Sequence, residues 1–192
     1  MPCMKHLVVA LSTLCLAVVV HAQSPASVPA VPAPGPLTSI ASLDVPRYMG
    51  TWYEIAKYPN KFQKKCVAET RAQYQLQAKG TVQVTNRCKT EGGSFDEAIG
   101  EARQTGPSTS PKLQVRFAPA WLAWLPMVWG NYWVIDLDPG YQLVAVSEPE
   151  REYLWVLSRT PAVSAEAYGA LLARLKVQGF DLDRLERTKQ TP

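Results

Sequence analysis

From Leu43 onward, apolar and polar residues alternate in short runs broken by turn residues. The clearest run covers residues 68–77, where Ala68, Thr70, Ala72, Tyr74 and Leu76 interleave with Glu69, Arg71, Gln73, Gln75 and Gln77. A strict period of two predicts a half-buried strand there, because successive side chains on a pleated chain point to opposite faces. Lys79-Gly80 turns the chain into residues 81–89, with Val82 and Val84 on one face, and Leu113, Val115 and Phe117 alternate with Gln114 and Arg116. Residues 131–137 and 141–147 flank the compact turn signal Asp138-Pro139-Gly140, and Glu148-Pro149-Glu150 leads into 153–159. With 50–58 and a weaker run over 94–104, the pattern predicts eight strands joined mostly by short connections. An up-and-down antiparallel meander is the economical topology for such a series.

One helix follows. Ser164 suits its N-cap, Glu166 complements the dipole, and Val163 can staple onto Tyr168. Tyr168, Leu171, Leu172 and Leu175 form an apolar stripe at helical spacing, and Gly179 stands where a glycine ends a helix. Together these elements predict an all-β fold: a sheet closed on itself, with the helix packed on its outer wall. Closure removes exposed strand edges, and an eight-stranded barrel leaves an interior for one small ligand.

Composition changes the picture at the N-terminus. Residues 1–22 place one charge, Lys5, before an apolar run from Leu7 to Val20 that ends in Val20-His21-Ala22. This predicts an export signal cleaved after Ala22, since the run is too short for a comfortable membrane span. Taking those 22 residues from 192 leaves 170, with no histidine, two cysteines and 19 basic against 16 acidic side chains. Residues 23–37 (QSPASVPAVPAPGPL) hold five prolines among small residues, which predicts an extended linker, carried here through residue 42. The folded domain is expected over 43–188, with 189–192 as a tail.

The mature composition excludes several functions. Without histidine there is no Ser-His-Asp or Cys-His machinery and no His-ligated zinc. No basic block exceeds Lys64-Lys65, so nucleic acid is not an expected partner. An immunoglobulin-like sandwich wants widely spaced cysteines with a tryptophan between them, whereas Cys66 and Cys88 enclose none. As the only mature cysteines of an exported chain, they are expected to form a disulfide worth about 3 kcal/mol in the chain-entropy model. Neither a metal nor a cofactor is expected.

The motifs now in view resemble the lipocalin family, closely its bacterial outer-membrane, apolipoprotein D-like branch. Gly50-Thr51-Trp52-Tyr53-Glu54-Ile55-Ala56 resembles the family's G-x-W block, and YWVIDLDPGY at 132–141 its second block, with Asp138 and Tyr141 at the turn. Leu154-Trp155-Val156-Leu157-Ser158-Arg159-Thr160-Pro161 resembles the third, whose arginine packs over the first-strand tryptophan. The resemblance implies an eight-stranded barrel plugged at one end by Gly50, Trp52 and Arg159. It also implies a cavity for a fatty acid or lysophospholipid and a role in envelope lipid maintenance, periplasmic or at the outer membrane. Many members of the branch are lipoproteins, but Leu14 is a poor residue before a lipidated cysteine, so Cys15 is read as unmodified.

Strand parity nominates the cavity wall. Ala72 and Tyr74 share the less polar face of one strand, as do Val115 and Phe117 of another. Both faces of 131–137 and 153–159 are apolar because the helix covers one of them, so parity leaves Tyr132 against Trp133 and Trp155 against Val156 open. Tyr132 and Trp155 are the preferred candidates, since each offers a polar handle to a head group. The loop Trp121-Leu122-Ala123-Trp124-Leu125-Pro126-Met127-Val128-Trp129 holds three tryptophans and no charge. It either folds inward as a lid, or presents Trp121, Trp124 and Leu125 to a bilayer or a second copy of the chain. Glu54, Asp136 and Arg116 form the one acid–base set to weigh for catalysis, against ordinary solvated polar residues.

Overall fold

The computed structural model describes residues 35–191. The expected signal peptide, the Cys15 question and the linker up to residue 34 lie outside the described residues. Strands β1 (Gly50–Lys57), β2 (Cys66–Leu76), β3 (Val82–Thr90), β4 (Phe95–Gln104), β5 (Lys112–Arg116), β6 (Gly130–Leu137), β7 (Leu143–Ser147) and β8 (Leu154–Ser158) pair antiparallel in sequence order. β1 also pairs with β8, which closes the eight-stranded barrel. Helix α2 (Ala165–Val177) starts where its signals place it: the Ser164 hydroxyl accepts from the Ala167 N–H at 3.2 Å, and Gly179 takes a φ of +87° past its end.

Two apolar clusters share the barrel wall. Trp52, Ala72, Tyr74, Val84, Leu113, Val134, Val146 and Leu157 face the interior. Ile55, Ile135, Ala145 and Val156 lie on the other side of the sheet, packed with Leu171 and Leu175 of α2. All five residues of β7 are buried because it is covered on both faces. The same double burial hid the inward face of β6 and β8 from parity. Tyr132 and Trp155 pack against the interior cluster, whereas Trp133 packs outside, under the helix.

The disulfide joins Cys66 to Cys88 across the start of β2 and the end of β3, with Cα atoms 5.4 Å apart. Two segments expected to be loose are structured. Leu37 is buried beneath the helix, the Ile40 N–H donates to the Val134 carbonyl, and the Leu43 N–H to that of Thr109. The folded domain therefore begins before residue 43; a proline-rich composition cannot reveal these long-range backbone bonds.

The expected tail likewise enters the barrel wall. β1 bonds to β2 only from Gly50↔Tyr74 to Tyr53↔Arg71. Higher up, Glu69 takes a φ of +52°, the strands part, and β9 (Glu186–Arg187) pairs with β1 instead. The Lys189 carbonyl accepts from the Glu69 N–H at 2.7 Å. The Gln190 amide donates to the carbonyls of Glu54 and Thr70, each at 2.8 Å. Residues 186–191 thus fill the split between two strands and satisfy backbone groups that would otherwise be an open edge.

Candidate functional site

Strand direction defines the two ends of the barrel. β1 starts at the end closed by helix α1 (Val45–Tyr48) and runs toward the end where the loops at 58–65, 117–129 and 148–153 gather. At the closed end Trp52 is fully buried, and its indole N–H donates to the Tyr48 carbonyl at 2.9 Å. The Arg159 guanidinium lies 3.9 Å from the Trp52 ring centroid. It donates to the carbonyls of Thr51, Arg47 and Tyr141 at 3.0, 2.9 and 3.3 Å. Gly50 is required twice over: its φ is +94°, and a Cβ would stand 3.3 Å from the Arg159 guanidinium. The Asp138 carboxylate caps the neighbouring turn by accepting from the N–H groups of Gly140 and Gln142, while the Tyr141 hydroxyl accepts from the Asp44 N–H. These residues do structural work: they shut the narrow end and tie α1 to it.

Above the plug sits a floor of three tyrosines. The Tyr132 hydroxyl lies 2.8 Å from that of Tyr48 and 3.0 Å from that of Tyr74. Burial pushes all three hydroxyls up, that of Tyr74 to about 12, so they are protonated at any ordinary pH. Tyr48 was beyond strand parity because it stands on α1 rather than on a strand.

Over this floor the inward-facing wall is only partly covered. Val115, Tyr132 and Trp155 point inward, yet each keeps accessible surface, as does Asn86 opposite Ala72. Inward-pointing side chains that still meet solvent make the far end of the barrel the candidate mouth of a ligand site. Ala72 and Tyr74 are buried lower in the same wall. Phe117 lies one residue beyond β5, at the rim, and is 43% exposed. Its ring packs over Gly100, where a Cβ would come within 2.7 Å of it. β4 bonds to β5 only over residues 101–104, so its upper half leaves the side of the mouth open.

An aromatic series leads from the loop at 58–65 into the lumen. Phe62, 67% exposed, lies 5.4 Å from Tyr153 between ring centroids, and Tyr153 stacks on Trp155 at 5.7 Å. The Gln63 side-chain carbonyl accepts from the Trp155 indole at 2.9 Å, fixing that ring at the mouth. Lys61, Lys64 and Lys65 of the same loop are exposed, and Lys57, Lys61, Lys64 and Glu186 line a shallow depression of about 480 Å³ beside it.

Across the mouth, the tryptophan-rich loop turns outward. Arg116 follows the inward Val115, so it points away from the lumen, and the Trp129 ring covers it at 5.2 Å. Trp129 also stacks on Arg103 at 4.0 Å and donates its indole N–H to the Ala123 carbonyl. This anchoring leaves Trp121 74%, Trp124 76% and Met127 85% exposed, with Leu125 partly covered.

The candidate acid–base set is not brought together. Asp136 makes a two-pronged ion pair with Arg174 of α2, at 2.6 and 2.9 Å. Arg116 pairs with Glu101 at 3.6 Å and donates to the Ala118 carbonyl beneath Trp129. Glu54 is buried in the seam, where it accepts from Thr188 and from Gln63, both at 2.5 Å. Each member is consumed by a separate structural contact, and burial raises the pKa of Glu54 despite its two donors. Among the described residues, no three His, Cys, Asp or Glu side chains gather as a metal site would require.

Solved structures with the same architecture include insecticyanin from the tobacco hornworm (TM-score 0.64, 16% identity, 83% of this chain and 86% of that one). The cockroach allergen Per a 4 is another (TM-score 0.62, 20% identity, 81% and 94%). At such identities the likeness concerns the fold. Sequence relatives are nearer. Temperature-induced lipocalin-1 of Arabidopsis thaliana is 41% identical over 155 residues, covering 79% of this chain and 82% of that protein. Outer membrane lipoprotein Blc of Escherichia coli K12 is 35% identical, covering 79% and 81%, and apolipoprotein D of Mus musculus 31%, covering 78% of each. A family model for the lipocalin-like domain matches residues 43–190, nearly the whole of the barrel and its seam. With its plugged eight-stranded barrel and these relatives, the chain belongs to the lipocalin family.

Proposed function

We propose that this lipocalin binds a fatty acid or lysophospholipid in its lumen and carries it within the bacterial cell envelope, where it serves membrane maintenance. The observation that carries the reading is the accessible surface kept by Val115, Tyr132 and Trp155 inside a closed barrel. An acyl chain covering such surface gains about 25 cal/mol per Å², several kcal/mol for a chain of ordinary length. Exposed Lys61, Lys64 and Lys65 beside the mouth supply counter-charge for a phosphate or carboxylate head left at the rim. Residues 1–22 would export the chain, and Leu14 before Cys15 favours a protein without a lipid anchor, periplasmic or at the membrane only by surface contact.

Surface contact has its own support. Phe62 on one side of the mouth and Trp121, Trp124 and Met127 on the other are large apolar side chains held in water. A bilayer interface receives such residues, and the lysines beside Phe62 would meet anionic head groups there. A lipid could then pass from the bilayer along Phe62 and Tyr153 to Trp155 without crossing water.

Native mass spectrometry of freshly purified protein tests the ligand class. The expected result is a co-purifying species with the mass of one fatty acid or lysophospholipid, shed on activation. Protein that arrives empty and takes up neither lipid when supplied overturns the proposal.

A further inference from the structure

The three floor tyrosines hold one proton more than they can use. Each hydroxyl carries one hydrogen to donate. The cluster has two contacts, Tyr48 with Tyr132 and Tyr132 with Tyr74, and each consumes one hydrogen. Three donors and two contacts leave one O–H with no partner, whichever way the bonds run. Among the described residues none of the three hydroxyls makes any other hydrogen bond. Of the three, only Tyr132 keeps accessible surface, so an acceptor that completes the cluster would reach it there, from the barrel interior.

We infer that the lumen floor is a subsite for one uncharged acceptor oxygen, so the bound molecule reaches the tyrosines with a carbonyl, ester or ether oxygen and not with bare hydrocarbon. The inference rests on the lumen being the lipid site and narrows the ligand: with its charged head at the rim, the acyl chain carries an oxygen, such as a keto group, at its deep end, which a plain fatty acid or lysophospholipid chain lacks. Bare hydrocarbon pressed against the floor strands a desolvated donor, whereas an acceptor oxygen completes the cluster. An ionised group is disfavoured. The nearest cation, Arg159, is engaged below the plug with three carbonyls, and the walls around the tyrosines are Trp52, Val82, Val84, Val134 and Leu157. A carboxylate there would be desolvated without a counter-charge.

A matched pair of uncharged probes reads this directly. 2-Tridecanone and n-tridecane differ by one carbonyl, at C2 next to the terminal methyl, and each displaces a fluorescent fatty acid from the full-length protein in a titration. Relative to transfer into hexadecane, the ketone is expected to bind more tightly by on the order of tenfold or more, the cost of an unmet buried donor. In the Tyr48→Phe/Tyr74→Phe/Tyr132→Phe variant no donor remains, and the preference should disappear. Tyr132→Phe alone removes the bridge and still leaves at least one unpaired donor, so the preference is expected to persist or grow. That opposite response separates donor counting from loss of packing, and it remains measurable if the triple variant does not fold. A preference that is absent in the parent, survives the triple substitution, or falls in Tyr132→Phe overturns the inference while leaving lipid binding intact. Failure of oleic acid and lysophosphatidylcholine, as well as both probes, to displace the reporter overturns the lipid reading itself.

Discussion

Replacing Arg159 with Met keeps most of the side-chain stem and removes the guanidinium, which separates the charge in the plug from the packing. Three bonds to backbone carbonyls, at 2.9–3.3 Å, are lost together with the stack on Trp52 at 3.9 Å. Hydrogen bonds from a charged donor are worth about 1.5–3 kcal/mol each. Arg159 is only partly buried, so water can replace part of what the carbonyls lose, and the net cost should be about 2–4 kcal/mol. Trp52→Leu removes the aromatic face and the indole N–H bond to Tyr48 and leaves a cavity, for about 2–5 kcal/mol. If the guanidinium and the indole face hold each other, the double variant should be less damaging than the sum of the two. The expected coupling is about 0.5–2 kcal/mol, as for a partly desolvated cation over an aromatic ring. Urea denaturation of parent, both single variants and the double gives all four corners of the cycle. Costs that add to within about 0.3 kcal/mol would refute the stacked plug as an energetic unit, whatever its geometry.

Glu54 makes folding pH-dependent in a direction set by its burial. Its folded pKa is raised above 4.5, so the folded state keeps a proton that the unfolded chain releases. Its contribution to stability is therefore greatest below the unfolded value and is lost as pH rises through the folded one. Denaturation series should show Glu54→Gln flattening that descent, and an unchanged slope would assign it to other groups. Gln190→Ala removes two bonds at 2.8 Å from the seam and should cost about 1–3 kcal/mol, with faster amide exchange at Glu69. If stability and exchange both match the parent, the C-terminal segment does not hold the strands. Trp121→Ser/Trp124→Ser should fold like the parent to within about 0.5 kcal/mol, because both indoles are exposed, yet co-sediment less with anionic vesicles. A dimer that falls apart in gel filtration, with vesicle binding unchanged, would make this face a subunit contact instead.

Most of the barrel is legible in the sequence because it obeys local rules. Period-two runs such as Ala72 with Tyr74, the turn at Asp138-Pro139-Gly140, and the capped helix at Ser164 each announce themselves within a few residues. The site is only half legible, for three physical reasons. Parity fails where a strand is covered on both faces, which is why Tyr132 could not be told from Trp133 until α2 was placed over β6. It also fails for residues outside strands: Tyr48 on α1, and Gln63 and Phe62 in a loop, complete the floor and the mouth with no periodic signal. Finally, backbone bonds across the fold decide what a tail does. Nothing in Lys189-Gln190 as a sequence shows that it occupies the gap opened by the left-handed turn at Glu69. The loop at 117–129 shows a further limit. Its tryptophans flag it in composition, but its outward course depends on Trp129 finding Arg103 and Arg116.

The lumen is the central claim, and nuclear Overhauser effects from a 13C-labelled lysophosphatidylcholine test it most directly. Acyl-chain protons should show cross-peaks to the Val115 methyls and to the rings of Tyr132 and Trp155, at one lipid per protein. Cross-peaks confined to Trp121, Trp124 and Met127, with the interior resonances unmoved, would contradict a lipid-binding lumen.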